Sequence, residues 1–304
     1  MGLLDERVVI VTGGGRGLGR QHCLELARHG ARVIVNDLGG GLHGEATDET
    51  PADEVVAAIE AAGGAASADG TSVADFDAVG GLVARTVASY GRLDAVVNNA
   101  GIIRDRMLTG MSEEDFDQVI AVHLKGTWNV SRHACALWRD QHKAGQRVTG
   151  RIVNTTSGAG LFGNIGQTNY GPAKAAIASL TMITAMEMEK YGVTANAVSP
   201  MARTRMTAGI AAQAAEARGW DRLDPANTSP VVAYLCSEAS GWLSGCVLRV
   251  DGESVQRLRP WDIDHDRTYV GAPGGPVDAA ELDRGLRAAF GAFPRGLPTG
   301  SVAQ

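Results

Sequence analysis

Three side chains near the middle of the sequence have the types and the spacing for proton-transfer chemistry. Tyr170 and Lys174 are four positions apart, and Ser157 precedes the tyrosine by thirteen positions. Because side chains four apart share one face of an α-helix, a helix beginning at Tyr170 would point the phenol and the ammonium the same way. Pro172 is compatible with this helix, since proline is tolerated in a first turn. The spacing therefore predicts a tyrosine whose acidity is controlled by a neighbouring lysine.

This chemistry requires a second site. A free tyrosine has a pKa near ~10, and lowering it by about three units takes roughly 4 kcal/mol. A neighbouring cation favours the phenolate, but one lysine does not obviously supply that much. A positively charged nicotinamide ring held beside Tyr170 would supply the rest. We therefore expect a dinucleotide-binding segment elsewhere in the chain.

The N-terminal segment has the pattern of such a site. Residues 7–11 are a short apolar run typical of a buried strand, and T-G-G-G-R-G-L-G follows at residues 12–19. Glycines let the backbone approach a pyrophosphate, and the N-terminus of the following helix supplies N–H donors and positive dipole. The G-x-x-x-G-x-G spacing differs from the common G-x-G-x-x-G, so a tight turn without a ligand is the alternative.

The end of the second predicted strand indicates which dinucleotide binds. That strand ends at Asp37, about 20 residues past the glycines. A carboxylate there accepts hydrogen bonds from both ribose hydroxyls and repels a 2′-phosphate, which favours NAD over NADP. Arg16 in the glycine turn argues the other way, because an arginine can meet a 2′-phosphate. Asp69, at the end of the third predicted strand, either contacts adenine or caps the helix after Val73.

Strands and helices alternate along most of the chain. Short apolar runs predict seven strands, at residues 7–11, 31–37, 65–68, 93–98, 151–155, 193–200 and 246–252. Helical patterns fill the intervals, including a long helix at 112–141 and the Tyr170 helix at 169–191. This alternation predicts an α/β fold with a parallel sheet, whose ligands bind at the carboxyl ends of the strands.

Composition excludes several classes of protein. A net charge of −6 argues against a nucleic-acid partner, and no apolar run reaches the ~18 residues of a membrane span. The four cysteines are scattered, which favours reduced thiols and a cytoplasmic location, and the seven histidines show no metal-ligand spacing. The N-terminus does not read as a signal peptide. We expect a protein without metal, nucleic-acid or membrane partners.

The 304 residues divide unequally by composition. Proline and glycine become more frequent after residue 254, and only residues 279–290 look helical there. We predict a dinucleotide-binding domain at residues 1–254. Residues 255–304 are expected to form a C-terminal extension packed on the same domain or on a neighbouring subunit.

Taken together, these motifs resemble the short-chain dehydrogenase/reductase family over residues 5–254. The glycine motif at 12–19, N-N-A-G at 98–101, and Ser157, Tyr170 and Lys174 occur in order and at the family's spacing. The resemblance implies a Rossmann-like doubly wound α/β fold, with a seven-stranded parallel sheet and helices on both faces. The count of predicted strands supports that fold independently. The resemblance also implies a homodimer or homotetramer.

Several segments resemble one branch of the family more closely. V-I-V-N-D-L-G-G, N-N-A-G-I-I-R-D-R-M, V-H-L-K-G, G-N-I-G-Q-T-N-Y and R-M-T are similar to the (3R)-hydroxyacyl-CoA dehydrogenase unit of the peroxisomal multifunctional β-oxidation enzyme. They are also similar to single-domain actinobacterial relatives, some of which act on CoA thioesters of steroid side chains. The resemblance implies NAD-dependent oxidation of a 3-hydroxyacyl-CoA. A dehydrogenase of free hydroxysteroids or other secondary alcohols, and a cofactor-binding protein without turnover, are the alternatives.

The resemblance also assigns roles to residues. Tyr170 takes the hydroxyl proton, Ser157 orients the same oxygen, and Lys174 lowers the pKa of the tyrosine and holds the nicotinamide ribose. His123 stands where the family usually has an asparagine, and it either serves a proton relay or packs beneath the site. Thr204 resembles the residue that anchors the carboxamide. The expected cofactor-binding residues are Thr12, Gly13, Arg16, Gly17, Leu18, Gly19, Asp37, Asp69, Gly70, Asn98, Ala100, Gly101, Tyr170, Lys174 and Thr204.

Two further sets of side chains each have two alternative roles. The arginines near the predicted rim either meet CoA phosphates or form ion pairs, and ion pairing is favoured. They are Arg104, Arg106, Arg203 and Arg205. Trp128 and Trp138, on the predicted long helix, are expected in the core or at an interface rather than against substrate.

Overall fold

The computed structural model describes residues 2–41, 43–45, 50–203, 221–259, 265, 268–270 and 279–290. Within these ranges, eight strands form one sheet in the order β3-β2-β1-β4-β5-β6-β7-β8. The strands are β1 (Val8–Thr12), β2 (Arg32–Asn36), β3 (Ala65–Asp69), β4 (Ala95–Asn98), β5 (Arg151–Thr155), β6 (Thr194–Met201), β7 (Val247–Asp251) and β8 (Ser254–Leu258). The predicted α/β fold is confirmed.

The first seven strands are parallel, and the eighth is not. Strand β8 pairs antiparallel with β7, with Val250 opposite Val255. It starts where the C-terminal extension was predicted to begin, and most of its side chains are exposed. The sequence analysis missed it because an exposed edge strand lacks the continuous apolar run that identified the buried strands.

The helices lie on both faces of the sheet. None of them, in the part of the chain that the structure describes, is long and apolar enough to cross a membrane. They are α1 (Gly17–Arg28), α2 (Pro51–Ala61), α3 (Phe76–Tyr90), α4 (Glu113–Ile120), α5 (Gly126–Lys143), α6 (Gly158–Phe162), α7 (Tyr170–Met188), α8 (Ser229–Cys236) and α9 (Ala279–Phe290).

Strand β1 shows how the sequence builds the two hydrophobic layers. Val9 and Val11 pack into a core with side chains of α1, α2 and α8, such as Leu26. Val8 and Ile10 point to the opposite face and pack with side chains of α3, α5 and α7. All four are fully buried, and successive side chains of a strand alternate between faces. Each contributes roughly 1.5–3 kcal/mol by burial, which fixes the strand ends that carry the site.

The predicted long helix is interrupted in its middle. Helices α4 and α5 are joined by one π-helical segment, Ala121–Lys125, which contains His123. A π-helical turn inserts an extra residue into the helix and rotates the side chains that follow. The interruption places the His123 ring in the buried interior, where it is 1% exposed.

Candidate active site

A cleft opens at the carboxyl ends of the parallel strands, where the strand order reverses between β1 and β4. Its volume is about 340 Å³, within the size of small-molecule sites. Ligands of doubly wound sheets bind at such a switch point. Of the predicted residues, the cleft is lined by Gly13, Arg16, Gly17, Leu18, Asp37, Ala100, Gly101, His123, Ser157, Tyr170 and Lys174.

The glycine turn forms one wall of this cleft. Gly13 and Gly17 adopt left-handed backbone angles, with φ of 62° and 52°. Helix α1 begins at Gly17, and no side chain caps its N-terminus. The first N–H groups of the helix are therefore available to bind an anion, and a pyrophosphate would fit there. Gly19 lies behind the wall, where a Cβ atom would overlap the Gly13 carbonyl group.

Asp37 stands at the end of β2 beside this turn. Its carboxylate accepts hydrogen bonds from the Gly15 and Gly39 N–H groups, each at 2.9 Å. It thereby holds the glycine turn against the loop after β2 and still faces the cleft. Arg16 donates to the Gly40 carbonyl at 3.5 Å, which ties it to the same loop.

Besides Gly19, four of the predicted cofactor-binding residues that the structure describes lie outside the cleft lining. The Asp69 carboxylate is bonded by Arg85 at 2.6 Å and by the Thr71 N–H at 2.8 Å, and Gly70 lies beside it. Asn98 is buried under the cleft and donates to Asn154 Oδ1 at 2.8 Å. The fourth is Thr12, and a fifth predicted residue, Thr204, falls outside the described residues.

Thr12 is a structural link between β1 and β4. Its Oγ1 atom accepts hydrogen bonds from the N–H groups of Asn99 and Ala100, at 3.0 and 3.1 Å. The Asn99 side chain donates in turn to the Thr12 and Gly13 carbonyls. These bonds hold the loop after β4 to the glycine turn, so the two sides of the cleft are fixed relative to each other.

Ser157, Tyr170 and Lys174 meet on the other side of the cleft. Tyr170 is the first residue of α7, and Lys174 follows one turn later, as the spacing predicted. The Lys174 Nζ atom lies 5.6 Å from the centre of the Tyr170 ring and donates to the Thr155 carbonyl at 2.6 Å. Ser157 caps α6, accepting from the Ala159 N–H at 3.2 Å, and its hydroxyl lies near enough to Tyr170 to act on the pKa of the phenol.

In the protein chain by itself, burial is the largest influence on the pKa values of Tyr170 and Lys174. Burial raises the pKa of Tyr170, a hydrogen bond with Ser157 opposes the rise, and the Asp105 charge adds to it. Burial also lowers the pKa of Lys174 from 10.5 to about 7. In the chain alone, Lys174 therefore does not bring the pKa of Tyr170 below its ordinary value.

Comparison with known proteins agrees with this geometry. The family model described as short chain dehydrogenase matches residues 7–215. The chain belongs to the short-chain dehydrogenase family. It is an oxidoreductase that acts on CH–OH groups of a small-molecule substrate with a nicotinamide cofactor, as the family does.

Comparison with individual proteins shows a more specific similarity. The chain is 44% identical over 291 residues to hydroxyacyl-CoA dehydrogenase ChsB1 of Mycobacterium tuberculosis, covering 94% of this chain and 89% of that protein. It is 42% identical to the peroxisomal multifunctional enzyme type 2 of Mus musculus over 77% of this chain, which is 30% of that protein. A crystal structure of a short chain dehydrogenase from Mycobacterium avium aligns with a TM-score of 0.85 and 49% identity, over 97% and 98% of the two chains.

His123 is the most unusual side chain in this dehydrogenase site. Its Nε2 atom lies 2.8 Å from the Ile102 carbonyl and 3.1 Å from the Ile102 N–H, while its Nδ1 atom is buried without a protein partner. The ring packs edge-on against Tyr170, with centroids 5.1 Å apart. Burial first, and then the Lys174 charge, lower the pKa of His123 to about 3, so the ring is neutral at physiological pH.

The rim arginines are mostly occupied by other protein groups. Arg104 lies 3.3 Å from Asp115 and donates to the His43 carbonyl at 2.9 Å. Arg203 forms an ion pair with Asp221 at 3.0 Å. Arg106 is exposed and donates to the Asp105 carbonyl at 2.9 Å. Arg205 lies outside the described residues.

The two tryptophans occupy the places expected of them. Trp138 is 1% exposed and donates from Nε1 to the Leu93 carbonyl at 2.7 Å, so it belongs to the core. Trp128 is 44% exposed on the outer face of α5 and stacks on Phe76 at 5.7 Å. Neither lines the cleft.

Sequence reasoning missed several residues that line the dehydrogenase cleft. Asn99, rather than Asn98, faces the cleft, and strand alternation could have shown that the two asparagines point apart. The others include Thr71, Ser72, Gln118 and Pro200. Among the described residues, no group of three or more His, Cys, Asp or Glu side chains is arranged to hold a metal ion.

Proposed function

We propose that the protein oxidises a 3-hydroxyacyl-CoA thioester to the ketone with NAD⁺. One observation carries the proposal: Ser157, Tyr170 and Lys174 converge on one cleft with Asp37 and the glycine turn. A proton acceptor and a dinucleotide cradle in the same cleft can remove a proton and a hydride from one carbon–oxygen unit.

The chain's own residues divide the chemistry among them. Tyr170 accepts the hydroxyl proton, and Ser157, which lines the same cleft, orients the same oxygen. Lys174 Nζ lies near the phenol, and Lys174 would hold the nicotinamide ribose. Asp37 lines the cleft and would hold the adenosine ribose, where its carboxylate would favour NAD over NADP. When bound, the nicotinamide supplies hydride acceptance.

Two observations support a thioester with a bulky apolar acyl group, such as a steroid side chain. Relatives at more than 40% identity include a protein named hydroxyacyl-CoA dehydrogenase. In addition, two loops beside the cleft, 102–111 and 163–169, are joined by the Arg106 N–H and the Gly166 carbonyl at 2.9 Å. They expose three apolar side chains, Met107 (64%), Leu108 (70%) and Ile165 (82%). Exposed apolar clusters beside a cleft indicate a ligand surface.

We further propose that the enzyme associates through the outer faces of α5 and α7 as a homodimer or homotetramer. Trp128 and Ile183 are 44% and 46% exposed there and line a groove that also contains Cys135 and Leu180, and Met186 of α7 is 70% exposed. The free cysteines support a reducing, cytoplasmic location. The C-terminal extension is proposed to complete the same domain, because β8 pairs with β7.

NADH formation, followed by absorbance, tests the reaction. Wild-type protein is given NAD⁺ and a panel of secondary alcohols, each as the free acid and as the CoA thioester. Turnover confined to thioesters is the expected result, and turnover confined to free steroids or simple alcohols would contradict it. Tyr170→Phe is the control: it removes the proton acceptor and is expected to abolish turnover while NAD⁺ affinity by calorimetry stays nearly unchanged.

A further inference from the structure

Asn169, the residue before Tyr170, makes three side-chain hydrogen bonds beside the site. It is 0% exposed and caps the N-terminus of α7. Its Oδ1 atom accepts the Tyr170 N–H at 2.7 Å. Its Nδ2 atom donates to the Arg104 carbonyl at 2.9 Å and to the Asp115 carbonyl at 3.2 Å. The amide therefore uses both of its donors and one acceptor position inside the protein.

These three bonds join parts of the chain that are distant in sequence. Tyr170 begins the catalytic helix, Arg104 lies in the loop after β4, and Asp115 lies in the first turn of α4. That loop also carries Ile102, which lines the cleft and bonds to His123. One buried amide thus connects the start of the tyrosine helix to the opposite wall of the cleft.

The first turn of α7 depends on this cap. The Gly171 N–H donates to the Gln167 carbonyl at 2.8 Å, and the Ala173 N–H donates to the Asn169 carbonyl at 3.2 Å. Pro172 has no N–H, so Asn169 Oδ1 satisfies the remaining first-turn donor, that of Tyr170. The backbone of the catalytic tyrosine is therefore fixed by a side chain that also holds the loop opposite.

We propose that Asn169 is a positioning residue for the reaction. It holds the Tyr170 phenol in its place relative to Ser157, Lys174 and the loop after β4 across the cleft. The inference rests on the proposed role of Tyr170. A displacement of about 1 Å in a catalytic group costs on the order of 100-fold in rate. The loss is expected in the rate of the chemical step rather than in cofactor affinity, because Asn169 does not line the cleft.

The chemistry of the amide distinguishes positioning from simple capping. Serine and aspartate cap helices as well as asparagine does, since capping needs only an acceptor. Neither can donate to two carbonyl groups at once, and an aspartate would face the Arg104 and Asp115 carbonyls with its own acceptors. Asn169→Ser and Asn169→Asp therefore keep the cap and remove the link across the cleft.

The test measures steady-state kinetics of Asn169→Ser and Asn169→Asp on a secondary alcohol that wild-type protein oxidises. We expect kcat to fall about 10- to 100-fold in both variants, with NADH affinity within about twofold of wild type. The acidic limb of kcat/KM against pH, which reports deprotonation of the proton acceptor, should move to higher pH, because a displaced phenol loses its stabilising partners. It should move furthest in Asn169→Asp, which adds a buried negative charge.

Gln167→Ala is the matched control. It removes the Gln167–Asp105 side-chain bond of 2.9 Å between the same two loops and leaves the start of α7 intact. Its kcat should stay within about twofold of wild type. A wild-type kcat and an unmoved pH limb in a folded Asn169→Ser or Asn169→Asp protein would overturn the proposal. Inactivity of wild type on thioesters would instead overturn the proposed substrate and leave this comparison intact.

Discussion

Lys174 carries a charge that the fold does not solvate. It is 3% exposed, and burial lowers its pKa from 10.5 to about 7. An unfolded lysine keeps its proton up to about pH 10. Between pH 7 and 10 the unfolded chain therefore binds a proton that the folded chain has released, and this group makes the fold more stable as pH rises.

Lys174→Met removes this titration, which gives a prediction about stability. The free energy of unfolding of wild type, minus that of the variant, should increase by about 2 kcal/mol from pH 7 to pH 9. Urea denaturation of both cofactor-free proteins at the two pH values measures it. The Cys23 thiol titrates in this range only in the unfolded chain, because burial raises its pKa in the fold, and its effect is common to both proteins and cancels. Parallel pH dependences for the two proteins would contradict the burial argument.

Asp37 accepts two backbone N–H groups in the fold, and selection of NAD is its proposed role. Its carboxylate holds the Gly15 and Gly39 N–H groups, and its charge faces the cleft. Asp37→Asn keeps one acceptor oxygen and removes the charge that would repel a 2′-phosphate. We expect the ratio of kcat/KM for NAD to that for NADP to fall at least about tenfold, the size of one charged hydrogen bond. Asp37→Ala should relax the preference as well, but with loss of activity on both cofactors. An unchanged ratio in initial rates would remove Asp37 from cofactor selection.

At the scale of elements, the end of β1 and the loop after β4 form one unit through Thr12. Its Oγ1 atom accepts two backbone N–H groups and is 2% exposed. Thr12→Val has nearly the same shape but leaves both donors unsatisfied, at about 1–3 kcal/mol each. We expect a loss of about 2–4 kcal/mol in stability by chemical denaturation, together with weaker NADH binding. Thr12→Ser keeps the oxygen, and a comparable loss in that control would show that packing of the methyl group, rather than the acceptor, matters.

The elements differ in how well the sequence predicts them. Strands β1, β2 and β4 to β7 contain buried residues, so their apolar runs were sufficient to place them. Strand β3 has no buried residue, and its position was predicted from the alternation of strands and helices along the chain. The π-helical segment Ala121–Lys125 could not be recognised in the sequence, because the spacing of apolar residues there also suits an uninterrupted α-helix. Asn169 could not be predicted either. Its role depends on carbonyl groups 65 and 54 residues away, and only the fold brings them together.

At the scale of the whole molecule, the dehydrogenase has apolar side chains on the outer faces of α5 and α7 that remain exposed among the residues the structure describes. Ile183 and Met186 of α7 and Trp128 of α5 lie on this surface, on the opposite side of the helices from the core. A second copy of the chain would bury it, and α7 would then be held on both faces. Since α7 carries Tyr170 and Lys174, association should stabilise the catalytic helix.

Ile183→Glu tests this arrangement. A charged side chain at the centre of an apolar contact costs several kcal/mol when buried, so we expect a smaller species in light scattering than wild type gives. The monomer should also lose activity, because an exposed face of α7 gives the first turn around Tyr170 more freedom.

Ile165→Glu is the control, since Ile165 is 82% exposed on the loop beside the cleft and its substitution should leave the molar mass unchanged. An unchanged mass in Ile183→Glu would show that α7 does not form the subunit contact. Restored activity at high protein concentration, with a return to the wild-type mass, would link association directly to the geometry of the tyrosine helix.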